Sequence, residues 1–345
     1  MTAIAHNTPR VTILMPVYNG GPYLAEAVDS ILGQTCRDFE LLVINDGSTD
    51  GSAAIMGAYD DPRIRFVENN ANLGLIATLN KGLGLAQGEY VARMDCDDIS
   101  LPRRLEQQVA LLDSDPGIGI CGTWIRKFGA VRPKICRYHT QPMLLRCGLL
   151  FNSVLAHPTV MLRRRLFRDH GLGYDPTFRH AEDYELWARA GRLFRMGNVP
   201  EVLLEYRIHA SQVSQLHNPE QLATAGRVRR SLMEELGLDP EPEEFDIHQR
   251  VSTYAVSGCD RLFQRADDWL CRIREANQRT RRYPEPELSL ILAERLTTLL
   301  KKMLENGIVP DRRVLRPRLL RAARIGWHGV ALFMLKSLRG EVHHA

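Results

Sequence analysis

Glu89-Tyr90-Val91-Ala92-Arg93-Met94-Asp95-Cys96-Asp97-Asp98 reads as an apolar strand that runs into three carboxylates within four residues. Like charges at this spacing raise one another's pKa, so they stay ionised together only where a cation or several hydrogen-bond donors compensate them. The residues alone leave two readings open: a cation-binding cluster at a strand end, or a solvated turn into a helix for which Ser100 and Pro102 resemble a start.

Upstream the chain alternates strand and helix signals. Val11 to Val17, Phe39 to Asn45, Ile64 to Glu68 and Tyr90 to Met94 are short apolar runs of the kind buried in a parallel sheet. Helical stretches separate them at Pro22 to Gln34, Ser52 to Tyr59 and Leu75 to Gln87. After the carboxylates, Leu101, Leu105, Val109 and Leu112 share one helical face, with Arg103, Arg104, Gln107 and Gln108 on the other. The repeated βαβ pattern predicts an α/β fold, Rossmann-like, with a mostly parallel sheet and flanking helices.

In such sheets ligands bind beyond the carboxyl ends of the strands. Polar residues collect there in four loops: Pro16 to Gly20, Asn45 to Asp50, Asn69 to Gly74 and Asp95 to Asp98. The dinucleotide fingerprint is missing, because Gly82-Leu83-Gly84 with Gly88 lies in or after a helix and before a strand; a Walker A loop is also lacking. A nucleoside diphosphate bridged by a metal fits better, with acidic side chains holding the cation.

These residues resemble the inverting family 2 glycosyltransferases of GT-A fold, over roughly the first two-thirds of the chain. The motifs occur in the family's order: Met15 to Asn19, Asn45 to Asp50, Asn72-Leu73-Gly74, Asn80-Lys81-Gly82, Met94 to Asp98, His157 to Met161, Glu182 to Trp187 and Tyr206 to His209. The resemblance implies transfer of a hexosyl or N-acetylhexosaminyl group from a nucleotide-sugar, with UDP favoured over dTDP or GDP, to a glycan or lipid-linked acceptor. It further implies a bacterial surface-polysaccharide type. Asp46 would accept the imide N–H of the base and Pro16 and Tyr18 would line its pocket. Asn19, Asn72, Gly74 and Lys81 would belong to the donor site, and Asp95 would approach the ribose or the metal.

Asp97 would be the main ligand of Mg²⁺ or Mn²⁺, joined by His209, since oxygen and imidazole donors suit such ions. Arg207 is a candidate phosphate contact, Cys96 is read as a space filler, and Arg163 to Arg165 as a solvated basic face or an acceptor-side phosphate contact. From spacing alone, Glu182 and Asp183 read as acidic residues that offset a helix dipole. The resemblance instead makes Asp183 the general base of a single inverting displacement.

At 345 residues the chain is long enough for a catalytic domain over 1–215 and a helical accessory region over 216–345. The catalytic part divides into a donor half, 1–125, and an acceptor and base half, 126–215. Seven cysteines without paired metal spacing, no visible signal peptide and no membrane-length apolar run lead to the expectation of a cytoplasmic protein. No arginine immediately precedes any of the four tryptophans, so the Arg-Trp signature of processive synthases is lacking. Residues 312–339 hold eight arginines or lysines and no acid among apolar residues, a pattern for an anionic membrane surface at the inner face, or else for a packed helix. Nucleic acid is disfavoured as a partner, because the net charge of +4 is concentrated at the chain's end. A nucleotide-sugar-binding protein without turnover is the alternative from another class.

Overall fold

Parallel pairing of the first four apolar runs sets the frame. They form β1 (Val11–Val17), β2 (Phe39–Asn45), β3 (Ile64–Glu68) and β4 (Tyr90–Arg93). In β1 every residue is buried, so no polar face appears and the run is continuously apolar apart from Thr12. The computed structural model describes residues 8–209, 218–259, 261–310 and 317–319. Helices α1 (Gly21–Leu32), α2 (Ser52–Gly57) and α3 (Leu75–Leu85) join these strands. Proline in the first turn of α1 costs no hydrogen bond, and Leu24, Ala27, Val28 and Ile31 give it one buried face.

After β4 the expected helix begins later than Ser100. Ile99–Ser100 forms a short strand, β5, and α4 spans Arg104–Ser114. The remaining strands are β6 (Ile118–Gly129), β7 (Lys134–Cys136), β8 (Met161–Arg163) and β9 (Arg195–Ile208), with helices α5 (Pro142–Gly148), α6 (Arg164–Asp169) and α7 (Glu182–Ala190). Among the described residues the sheet order is β3-β2-β1-β4-β8-β6-β9-β5, with β7 beside β6. Pairing is parallel from β3 through β4 and again between β6 and β9; β8 is antiparallel to both its neighbours.

Register positions the loops. Val17 pairs with Asn45 and Asn45 with Glu68, so β1, β2 and β3 end level with one another. The last β1–β4 pair is Leu14 with Arg93, so this pairing ends three residues earlier along β1. Leu14 O accepts from Met94 N and Val17 O from Asp46 N, so Pro16 turns its nitrogen toward the β4 side, beyond the last pair. A residue without an N–H is tolerated there because no ladder bond is lost.

The described residues divide into two compact units, one within 1–140 and 155–221 and the other within 141–154 and 222–345. The second unit is helical: α8 (Asn218–Glu235) runs into it, followed by α9 (Pro242–Thr253), α10 (Leu262–Thr280) and α11 (Glu285–Glu305). It also takes in α5, whose Leu144, Leu145 and Cys147 are buried and which packs on α11. On α10 Leu262, Ala266, Trp269 and Ile273, at helical spacing, form a buried face. Of the basic segment 312–339, only 317–319 belong to the described residues and the rest lies outside them. Arg318 and Leu319 donate their backbone N–H groups to Asp267 of α10 at 2.7 and 3.0 Å. Among the described residues no helix is long and apolar enough to cross a membrane.

Candidate active site

The four loops meet at one sheet edge and bond to each other. Asn19 N donates to Ser48 Oγ at 2.9 Å, Thr49 N returns to Asn19 Oδ1 at 2.9 Å, and Gly21 N donates to Asp50 Oδ2 at 2.9 Å. Asn19 adopts a left-handed φ of 51°, which asparagine tolerates better than most residues. Tyr18, beside it, is half exposed at 51%. Gly20 packs so closely on Cys96 that a Cβ there would lie 2.7 Å from Sγ. Cys96 therefore fills space between the first and fourth loops, and burial pushes its thiol pKa up.

Asp46 is buried and ties the second loop to the third. Its Oδ1 accepts from Asn69 Nδ2 at 2.7 Å and from Leu73 N at 2.9 Å, and its Oδ2 from Gly74 N at 2.9 Å. Asn72 Oδ1 also accepts from Gly74 N at 2.9 Å, and Gly74 takes a φ of 87° that favours glycine. Lys81, on α3, donates to Asn69 Oδ1 at 2.5 Å and is thus one link from Asp46.

Asp95, Asp97 and Asp98 bring carboxylate oxygens within 4.8 Å of one another. Burial raises the pKa of Asp95, with Asp97 adding to it and Arg93 opposing. Asp98 is 1% exposed, and burial followed by repulsion from Asp95 and Asp97 raises its pKa strongly. Its Oδ1 accepts from Arg207 N at 2.8 Å, while its buried Oδ2 has no hydrogen-bond partner among the described residues.

Antiparallel pairing of Ile99 with Glu205 and Ser100 with Leu204 lays the acidic loop along the end of β9. His209 Nε2 thereby lies 2.8 Å from Asp97 Oδ2, although 112 residues separate them. Clustered carboxylate oxygens, one of them orphaned, beside an imidazole suit a hard divalent cation, so the residues present fit the metal that the resemblance implies.

Arg207, the candidate phosphate contact, is held by several partners within the protein. Its guanidinium lies 4.5 Å from the ring centroids of Tyr23 and of Phe128, donates to Asp97 O at 2.8 Å and pairs with Glu26. It clamps the acidic loop from behind. The expected solvated face holds for the exposed Arg165 but is corrected at Arg163 and Arg164: Arg163 donates to Leu112 O at 2.8 Å and Arg164 to Gly88 O at 2.6 Å. Both bridge neighbouring elements.

Two buried arginines beneath the cluster were not anticipated. Arg93 is 5% exposed and pairs with Asp95. Burial acts most strongly against its charge, but Asp95, Tyr174 and Asp98 together outweigh this and keep its pKa above the ordinary value. Arg104 is fully buried and donates to Arg93 O at 2.5 Å and Gln108 Oε1 at 3.1 Å; burial lowers its pKa to about 10. The available signal was a cation inside the apolar run Tyr90 to Met94, a position that a central strand grants only to a paired charge.

Asp183, the second residue of α7, is partly exposed, whereas Glu182 before it is 7% exposed. Burial, then repulsion from Asp183, pushes the Glu182 carboxyl up to about 7. Tyr174 senses Arg93, Asp183, Glu182 and Asp95, so the base candidate and the acidic loop share one electrostatic neighbourhood. Its hydroxyl lies 2.9 Å from His157 Nε2, and burial together with Arg93 holds that imidazole neutral, well below the usual histidine pKa.

Four loops at the carboxyl ends of the strands, one of them carrying the acidic cluster, place the site where α/β sheets of this kind bind ligands. The family model described as Glycosyl transferase family 2 matches residues 12–171. An uncharacterized glycosyltransferase of Haemophilus influenzae is 34% identical over 252 residues, which cover 68% of this chain and 77% of that protein. The uncharacterized glycosyltransferase MJ1057 of Methanocaldococcus jannaschii is 30% identical, with 58% of this chain and 71% of its own length covered. Among solved structures, S. aureus TarS 1-349 in complex with UDP-GlcNAc superimposes with a TM-score of 0.55 at 16% identity, covering 97% of this chain and 93% of that one. The chain belongs to glycosyltransferase family 2 and is a glycosyltransferase.

Proposed function

We propose that this enzyme moves one sugar from a nucleoside-diphosphate sugar to an acceptor hydroxyl, with inversion at the anomeric carbon. The observation that carries the reading is the gathering of Asp95, Asp97, Asp98 and His209 at the sheet edge, in one electrostatic neighbourhood with Asp183. The acceptor oxygen attacks the anomeric carbon in line as its proton passes to the Asp183 carboxylate, and the sugar–phosphate bond breaks to release nucleoside diphosphate. Asp183 has the exposure this requires, while the buried Glu182 beside it does not.

Asp97 and His209, with Asp95, would hold a Mg²⁺ or Mn²⁺ that neutralises charge on the departing diphosphate. Opening the His209–Asp97 hydrogen bond frees both donor atoms for that task. A carboxylate offers about four acceptor positions. Three on Asp46 are taken by Asn69, Leu73 and Gly74, which leaves one for the N–H of a base stacked near Tyr18. UDP is the favoured nucleotide; TarS, of the same fold, is solved with UDP-GlcNAc and with UDP.

We assign the acceptor to the glycans or lipid-linked intermediates of polysaccharide assembly, and residues 312–339 to contact with an anionic membrane surface. A donor screen that measures nucleoside diphosphate released from UDP-, dTDP- and GDP-sugars, with and without Mn²⁺, tests the reading. Slow Mn²⁺-dependent hydrolysis of one donor is expected. Binding of a nucleotide-sugar without any turnover, alone or with acceptor extracts, would favour a binding protein instead.

A further inference from the structure

We infer that the hairpin of β6 and β7 is a membrane-contacting arm, which seats the active site on an anionic lipid surface. The inference goes beyond the reading of the 312–339 tail and names a different surface. Residues 126–137 read Arg-Lys-Phe-Gly-Ala-Val-Arg-Pro-Lys-Ile-Cys-Arg, five cations and no acid, in a chain whose net charge is only +4. Its tip, 129–135, is exposed at every residue. Val131 and Ile135 are each 42% exposed there, side by side with Arg132 and Lys134.

Arg126 is neutralised by Glu205, and the Arg137 guanidinium lies 5.5 Å from the Trp124 ring centroid. Lys127, Arg132 and Lys134 have no acidic partner within ion-pair distance among the described residues. Cations left without local partners, interleaved with branched apolar side chains at a protruding turn, match an interface where the former meet lipid phosphates and the latter leave water. A soluble polyanion would use the charges but has no use for Val131 and Ile135, which is why the lipid surface is the favoured occupant.

The stem fixes this arm beside the chemistry. Lys127 pairs with Tyr206, Phe128 with Arg207 and Gly129 with Ile208, while Ala130 N donates to Ile208 O at 2.9 Å. Arg207 in turn grips the Asp97 carbonyl, and His209 follows directly. On the return strand Trp124 Nε1 donates to Tyr138 O at 2.9 Å, and Tyr138 senses the charge of Asp183. A lipid surface at the tip would thus hold the head group of an embedded acceptor near the base.

The test uses the full chain and vesicles of phosphatidylcholine with or without phosphatidylglycerol. The parent should sediment with the anionic vesicles only, and less so as salt rises. Replacing both Arg132→Ser and Lys134→Ser should weaken that partitioning about 25-fold, since each basic residue near the surface contributes about fivefold. Val131→Ser with Ile135→Ser should weaken vesicle binding yet leave binding of inorganic polyphosphate unchanged. Parent protein that ignores vesicles, or hairpin variants that bind like the parent, would overturn the inference. So would an apolar pair variant with full vesicle affinity beside a charge pair variant that loses polyphosphate and vesicles equally, which marks a polyanion site. Donor hydrolysis in solution should be the same in all variants, so failure of the proposed reaction is seen in the parent, separately from failure of the arm.

Discussion

Glu182→Gln isolates the least favourable charge near the proposed base. In the folded chain this carboxyl titrates at about 7 rather than 4.5, chiefly through burial and then through repulsion from Asp183. Because the folded state holds the proton more tightly than the unfolded one, the stabilising contribution is complete below 4.5 and is lost as pH rises to about 7. The difference amounts to roughly 3 kcal/mol of folding free energy. Glutamine keeps the shape and does not titrate, so parent and variant should be nearly equal at about pH 5 and the variant more stable by roughly 2–3 kcal/mol at about pH 8.

Urea unfolding read by hydrogen exchange in β1 to β4 reports the sheet unit separately from the helical one. A stability gap that stays constant from acid to alkaline pH would refute the argument. Asp183→Asn provides an internal control, since removing the second cause should move the pH window of the parent toward acid.

Asp97→Ala should abolish Mn²⁺-dependent binding of UDP in calorimetry while the circular dichroism of the fold persists; unchanged metal-dependent affinity would remove Asp97 from the site. Asp183→Asn should lower turnover by roughly 10²-fold or more with donor affinity nearly intact, and NMR coupling of the product should read the anomeric configuration opposite to the donor's. In the helical unit, buried His248 accepts from Trp269 Nε1 at 3.1 Å through Nδ1 and lies 2.9 Å from Leu150 O through Nε2. Burial and Arg229 hold its pKa near 3, so it is neutral at physiological pH, and His248→Ala should cost roughly 2–4 kcal/mol by thermal unfolding through an orphaned indole N–H and a cavity. Gly82→Ala would set a Cβ 2.2 Å from Leu14 Cδ1 and should destabilise the sheet unit by roughly 1–3 kcal/mol in denaturant titration.

The bounds of β1, β2 and β3 coincide with the apolar runs seen in the sequence: β1 and β2 are buried on both faces and so almost continuously apolar, while the half-buried edge strand β3 carries Arg65 and Glu68 between polar loops. The convergence of four polar loops followed from the same pattern, since parallel strands joined by helices all end at one edge.

Partnerships over long sequence distances were decided by tertiary structure alone. Nothing local says that β9 runs parallel to β6, or that Ile99 pairs with Glu205 and so delivers His209 to Asp97. Spacing does not reveal that Arg104 and Glu182 are buried, so these two looked like ordinary polar residues of helix starts until packing removed water from around them. Residue types and their order carried the fold class and the family, since periodicity and chemistry are local properties of the chain. Pairing register and desolvation, which buried Asp98 and laid Arg207 against the acidic loop, depend on segments a hundred residues apart meeting in space.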